Sequence, residues 1–154
     1  MEPFEEAKWL AINYIDYAPR TRLEVQRRLA RAEYDEEMIA AVLEELERIG
    51  LLNDTEFSQA WVENRSRSKK LGRVRLASEL RQKGVSKETV DEAVAELQPE
   101  DEFEAALALA EKRLKPAEKD DPGAKRRLAG YLQRRGYNWA TIEQVFSRMF
   151  ANTE

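Results

Sequence analysis

The chain has 154 residues and a formal net charge of −4, and it contains neither cysteine nor histidine. Disulfides and thiolate metal sites are thereby excluded, and acid–base or zinc chemistry loses its commonest side chain. The acidic start Met1-Glu2-Pro3 is unlike a signal peptide and no apolar run nears the roughly 20 residues of a membrane span, so a soluble cytoplasmic protein is expected.

The apolar spacing is helical almost throughout, with no stretch of strict alternation. A first helix is expected from Phe4 to Tyr17, stopped by Pro19. Thr21 and Glu24 have the form of a capping box for a second helix, which carries Val25 and Leu29 and ends near Arg31-Ala32. Asp35 caps a third, whose stripe is Met38, Ile39, Val42, Leu43, Leu46 and Ile49, and Gly50 ends it in the left-handed conformation. Asp54 is the expected cap of the next helix, which bears Phe57 and Trp61, and Lys69 to Gly72 is the expected loop after it. Leu76 and Leu80 mark a short helix ending at Gly84, and Ser86 caps one carrying Val90, Ala93, Val94 and Leu97. Pro99 breaks the chain. Phe103, Leu107, Ala110 and Leu114 then define a helix, Lys115 to Gly123 a linker, and Leu128 and Leu132 another helix. Gly136, the cap Asn138 and the stripe Ile142, Val145, Phe146 and Met149 complete the chain.

These elements repeat. Leu29, Leu80 and Leu132 lie 51 and 52 residues apart, as do Val25, Leu76 and Leu128, and Arg22, Arg73 and Lys125. A fixed period of this size marks stacked supersecondary units, each too small to be stable alone. The expected fold is all-α: three tandem three-helix, helix-turn-helix-like repeats over 1–52, 53–99 and 100–154, forming an elongated, curved array. The turn before each third helix has Gly84 and Gly136 in two repeats but Glu33 in the first, where a different turn or some strain is expected.

Charge is segregated along the chain. Glu33 to Glu56 is acidic with Arg48 its single base, and Asn64 to Lys83 is basic with Glu79 its single acid. The third helices of the first two repeats carry Glu36, Glu37, Glu44, Glu45 and Glu47, and Glu88, Asp91, Glu92 and Glu96. A helix so charged is repelled by phosphate walls, which argues against base reading in a major groove. The cations gather on the second helices and the loops before them: Arg20, Arg22, Arg27 and Arg28; Arg65, Arg67, Lys69, Lys70, Arg73 and Arg75; Lys125, Arg126, Arg127, Arg134 and Arg135. Stacking would align them into a stripe suited to a phosphate backbone or an acidic protein groove, the plainer alternative being a face paired with the acidic helices. Trp9, Trp61 and Trp139 read as structural. No phosphate loop, Ser/His/Asp set, metal cluster or cofactor motif is present, so the chain reads as a binding protein and not an enzyme.

Gly50-Leu51-Leu52-Asn53-Asp54, Phe57, Ala60-Trp61-Val62, Arg65, Gly72, Arg75-Leu76, Glu79-Leu80 and Lys83-Gly84-Val85 together resemble the central signature of RecX regulatory proteins. Tyr17-Ala18-Pro19-Arg20-Thr21 and Arg134-Arg135-Gly136-Tyr137 fit in the right order, while Asn53 stands where an acid is usual. The resemblance implies a protein that lodges in the groove of the RecA–DNA filament and suppresses ATP hydrolysis, strand exchange and filament extension. A monomer is expected because repeat packing accounts for the apolar positions and leaves no heptad seam. On that reading the basic stripe faces RecA, the bound single- or double-stranded DNA, or both, and charge reversal at Arg73 and Arg75 weakens binding without loss of helix. The competing readings are a DNA-binding helical repeat that acts without RecA and an adaptor for an unrelated partner.

Overall fold

A computed structural model describes residues 1–150, so the end of the third repeat at 154 lies outside the described residues. Among the described residues there are nine α-helices and no strand: α1 Pro3–Tyr17, α2 Arg22–Arg31, α3 Glu36–Arg48, α4 Asp54–Ser68, α5 Arg73–Gln82, α6 Lys87–Ala95, α7 Pro99–Arg113, α8 Pro122–Arg134 and α9 Trp139–Met149. A single 3-10 turn, Pro116–Glu118, lies in the linker before α8. The chain divides into two compact units. One is Met1–Ala60 with Leu80–Val90, and the other is Trp61–Glu79 with the chain from Asp91 onward. The division passes through α4, α5 and α6, so each unit takes part of the middle helices.

In the first unit α1, α2 and α3 pack against one another. Ala7, Ala11, Val25, Leu29, Ile39, Val42, Leu43, Leu46 and Leu52 form the core, and truncating any one of these leucines is worth about 2–5 kcal/mol. The capping box at Thr21 and Glu24 is complete, and Asp35 accepts from the Met38 amide at 2.8 Å. At the next helix the expected cap is corrected. Asn53 accepts the Glu56 amide at 3.1 Å, and Asp54 is already inside α4 with its carboxylate turned to another partner. Ile49, at the end of the α3 stripe, is 41% exposed.

The second unit is built on α7, α8 and α9, around Ala106, Leu107, Ala110, Leu128, Leu132, Tyr137, Ile142 and Val145. Pro99 does more than break the chain. It sits in the first turn of α7, where its missing N–H costs nothing and its fixed φ suits a helix. Likewise α8 starts inside the expected linker, at Pro122, because Asp121 accepts from the Gly123 amide at 2.9 Å.

All three turns before a third helix share one backbone. Gly84 and Gly136 have φ of 88° and 101°, and Glu33 has φ of 68°. In each case the following residue donates to a carbonyl five positions back: Tyr34 to Leu29, Val85 to Leu80, Tyr137 to Leu132. The first repeat therefore keeps the glycine turn without the glycine, and the cost is left-handed strain of about 1–2 kcal/mol.

Candidate partner-binding site

The basic residues are positioned by two joints of the same design, one within each unit. In each, the start of a second helix meets the turn before the third helix of the following repeat. At the first joint the Thr21 hydroxyl donates to the Lys83 carbonyl at 2.7 Å, and Lys83 Nζ pairs with Glu24 at 2.9 Å. Leu23 lies against Gly84 so closely that a Cβ there would fall 2.5 Å from the leucine Cβ. At the second joint the contact is backbone on backbone. The Gly72 amide donates to the Arg135 carbonyl at 2.9 Å and the Val74 amide to Gly136 at 3.0 Å.

An acid from the first turn of the next repeat closes each helix start. Asp54 accepts the Arg22 amide at 2.9 Å, and Glu102 accepts the Arg73 amide at 2.9 Å and its Nε at 2.8 Å. These carboxylates satisfy the orphan donors that every helix start exposes. Burial pushes the Asp54 carboxyl above its ordinary value, against the pull of the Arg22 amide.

Several predicted contact residues are engaged inside the fold. Arg20 lies 3.8 Å over the Tyr14 ring and donates to the Tyr14 carbonyl at 3.1 Å. Arg22 pairs with Glu47 at 3.2 Å, and Arg73 with the buried Glu102 at 2.7 Å. Arg65 makes two hydrogen bonds to Glu79, at 2.8 and 2.9 Å, and stacks over Trp61, whose indole N–H donates to the same carboxylate. Burial raises the Glu79 carboxyl, but the Arg65 and Trp61 hydrogen bonds outweigh it and hold the group below its usual range. Arg75 reaches Glu79 at 3.3 Å and the Arg134 carbonyl at 3.2 Å, and Arg135 donates to the Lys69 carbonyl. Lys125 lies 4.4 Å over Phe150. On the acidic side, hydrogen bonds from Arg48 and Lys8 hold Glu45 at about 2 against the opposing effect of burial.

The others face water. Arg27, Lys69, Lys70, Arg126 and Arg134 are exposed and Arg28 is half-buried, and among the described residues none of these six forms an ion pair. Arg67 pairs loosely with Glu63 at 3.4 Å, and Arg127 lies 4.0 Å from the half-buried Glu118 and 3.9 Å from the exposed Asp121, pairs of little energetic weight. In the second unit the joint groups Lys69, Lys70, Arg75, Arg134 and Arg135. The Tyr137 hydroxyl donates to the Lys70 carbonyl at 2.7 Å, fixing the loop with Lys70 at a φ of 51°.

The tryptophans require a correction. Trp61 is half-buried and tied to Glu79, but Trp9 is 62% and Trp139 54% exposed. Val74, whose amide is part of the second joint, is also 54% exposed. Val74 was missed because its helix reads as amphipathic with Leu76 and Leu80 inside. The one available signal is its place in the register of Leu23. Among the described residues no His, Cys, Asp or Glu group could hold a metal, and no helix is long and apolar enough to cross a membrane.

Three family models, for the first, second and third three-helix domains of RecX, match residues 7–46, 53–94 and 100–146. The chain belongs to the RecX family. It is 40% identical over 138 residues to the regulatory protein RecX of Streptomyces coelicolor, covering 89% of this chain and 73% of that protein. It is 35% identical over 153 residues to that of Mycolicibacterium smegmatis, covering 96% and 81%. The crystal structure of RecX from Lactobacillus salivarius superposes with a TM-score of 0.90 over 97% of each chain at 21% identity, which shows the shared fold. The chain is thus an all-α, three-domain member of a family of regulatory proteins.

Proposed function

We propose that this RecX chain regulates the RecA recombinase in the cytoplasm by binding the RecA–DNA filament and inhibiting ATP hydrolysis, strand exchange and filament extension. Family membership supports the partner. The observation that carries the surface is the second joint, where exposed Lys69, Lys70 and Arg134 lie on the same turns as exposed Val74 and close in sequence to Trp139. Exposed apolar side chains together with cations are the composition of a contact surface for an acidic partner. Arg27, Arg28, Arg67, Arg126 and Arg127 extend the proposed contact set, while Arg20, Arg22, Arg65, Arg73, Arg75, Lys125 and Arg135 contribute charge from engaged positions.

The test is RecA-catalysed ATP hydrolysis on single-stranded DNA, with this chain titrated well below the RecA concentration. Inhibition at such ratios is expected, because masking every DNA site would need more protein. The charge-reversal test moves from Arg73, whose pairing with Glu102 makes any change there a folding change, to Lys69→Glu with Lys70→Glu. That pair is expected to weaken inhibition about tenfold with unchanged helix content.

The exposure of Trp139, a few residues along the chain from Arg134 and Arg135, favours a second reading, DNA binding without RecA, since exposed aromatics with nearby cations stack single-stranded bases. Binding of an oligonucleotide alone, with a salt slope of about 0.7 per phosphate contacted, together with no effect on RecA, would select it.

A further inference from the structure

The two joints explain why the turn glycines are glycines, and they make Glu33 an anomaly with a purpose. A Cβ at Gly84 would meet Leu23 and one at Gly136 would meet the backbone of Gly72 and Arg75, so an incoming helix start requires a bare turn. The Glu33 turn has the same backbone and hydrogen bonds. Ala32 and Glu33 are exposed, and Tyr34 is only half-buried where its counterparts Val85 and Tyr137 are 5% and 2% exposed. The cation that precedes the internal glycines, Lys83 or Arg135, is replaced by Ala32.

The opposite partner is closed as well. At α2 and α5 the first amide of the helix is satisfied by the next repeat. At α8 the first residue is Pro122, which has no amide hydrogen, and Asp121 of the same segment accepts from Gly123. Arg126 stands in the register of Leu23, the side chain that lies against the Gly84 turn.

We propose that the Ala32-Glu33-Tyr34 turn is a docking surface for the second-helix start of another copy of this chain, held shut by the Glu33 side chain. The closed start of α8 is the matching stop. A repeat joint is a heterologous contact, and two open ends of that kind generate open-ended filaments of the protein itself. The strain retained at Glu33 is then the cost of a Cβ that excludes a neighbour.

The test is sedimentation equilibrium across a wide concentration range. Wild type, Glu33→Gly alone and Asp121→Ala with Pro122→Ala are each expected to remain monomeric, because each keeps at least one end closed. The triple variant is expected to shift to dimers and larger species as concentration rises. Replacing Glu33→Gly in that triple by Glu33→Ala, which retains the Cβ, is expected to restore the monomer. If circular dichroism shows that loss of the Asp121 cap costs the fold, Glu33→Gly with Pro122→Ala keeps that cap, restores the first amide of α8 and is expected to associate in the same way. A folded two-ended variant that stays monomeric, or equal association when Glu33→Ala takes the place of Glu33→Gly, overturns the proposal.

Discussion

The two joints occupy the same place in the repeat and are made from different chemistry. At the first, side chains do the holding: the Thr21 hydroxyl, the Lys83–Glu24 pair, the flank of Leu23. At the second, glycines on both sides let backbone meet backbone, with Cβ positions at Gly72 and Gly136 each within 3 Å of main-chain atoms opposite. A rotamer change can move the Leu23 Cδ and Cγ atoms but not its Cβ. At the second joint main-chain atoms on both sides stand in the way, so that joint is the less tolerant of change.

The sharpest way to break that contrast is a methyl group at each turn. Gly136→Ala adds left-handed strain to a backbone collision and is expected to lower stability by about 3–4 kcal/mol in urea unfolding, against about 2 for Gly84→Ala. Equal losses would mean that both joints yield alike. Next in size are the acids that close the helix starts. Glu102→Ala leaves the half-buried Arg73 without its partner and is expected to cost about 3 kcal/mol, whereas Asp54→Ala removes a cap worth about 1. A difference of less than about 1 kcal/mol between them would show that the ion pair adds nothing to the cap.

A hydroxyl separates the joints in pH. Burial pushes the Tyr137 phenol well above its ordinary value, so the folded chain holds it neutral after the unfolded chain has begun to ionise. The stability this group contributes is intact below about pH 10 and is lost as pH rises beyond it. Tyr137→Phe is expected to cost about 1 kcal/mol at neutral pH and to flatten the alkaline end of the stability profile. The smallest effect belongs to the turn with no joint. Glu33→Gly relieves left-handed strain at the cost of a more flexible unfolded chain, and a gain below about 1 kcal/mol is expected in the same urea measurement.

Local features of the fold were legible in the residues. The Thr21 box, the Asp35, Ser86 and Asn138 caps and the Gly50, Gly84 and Gly136 turns each depend on neighbours within a few positions, and each formed as expected. What escaped depends on partners far along the chain. Asp54 reads as a cap for its own helix but serves one 32 residues earlier, and Arg73 reads as a surface cation but is paired across 29 residues. The same limit applied to the candidate site. Composition locates the basic segments, but which cations are used internally and which face water is decided by joints that no local pattern announces. The exposure of Trp139 is what a place at a helix start allows, but the extent of it depends on the space around the helix, which no local pattern gives.

The closure of α2 and α5 by the next repeat also orders events on the ribosome. Thr21 to Arg31 emerges well before Asp54 and Lys83 have been made, so α2 spends that interval with its first amide open and Leu23 without the turn it rests on. Repeat one is therefore completed by repeat two, and repeat two by repeat three. A stalled or truncated product would end in an unfinished helix start at whichever repeat came last, marking it for proteolysis, while the third repeat carries Asp121 and Pro122 and finishes itself.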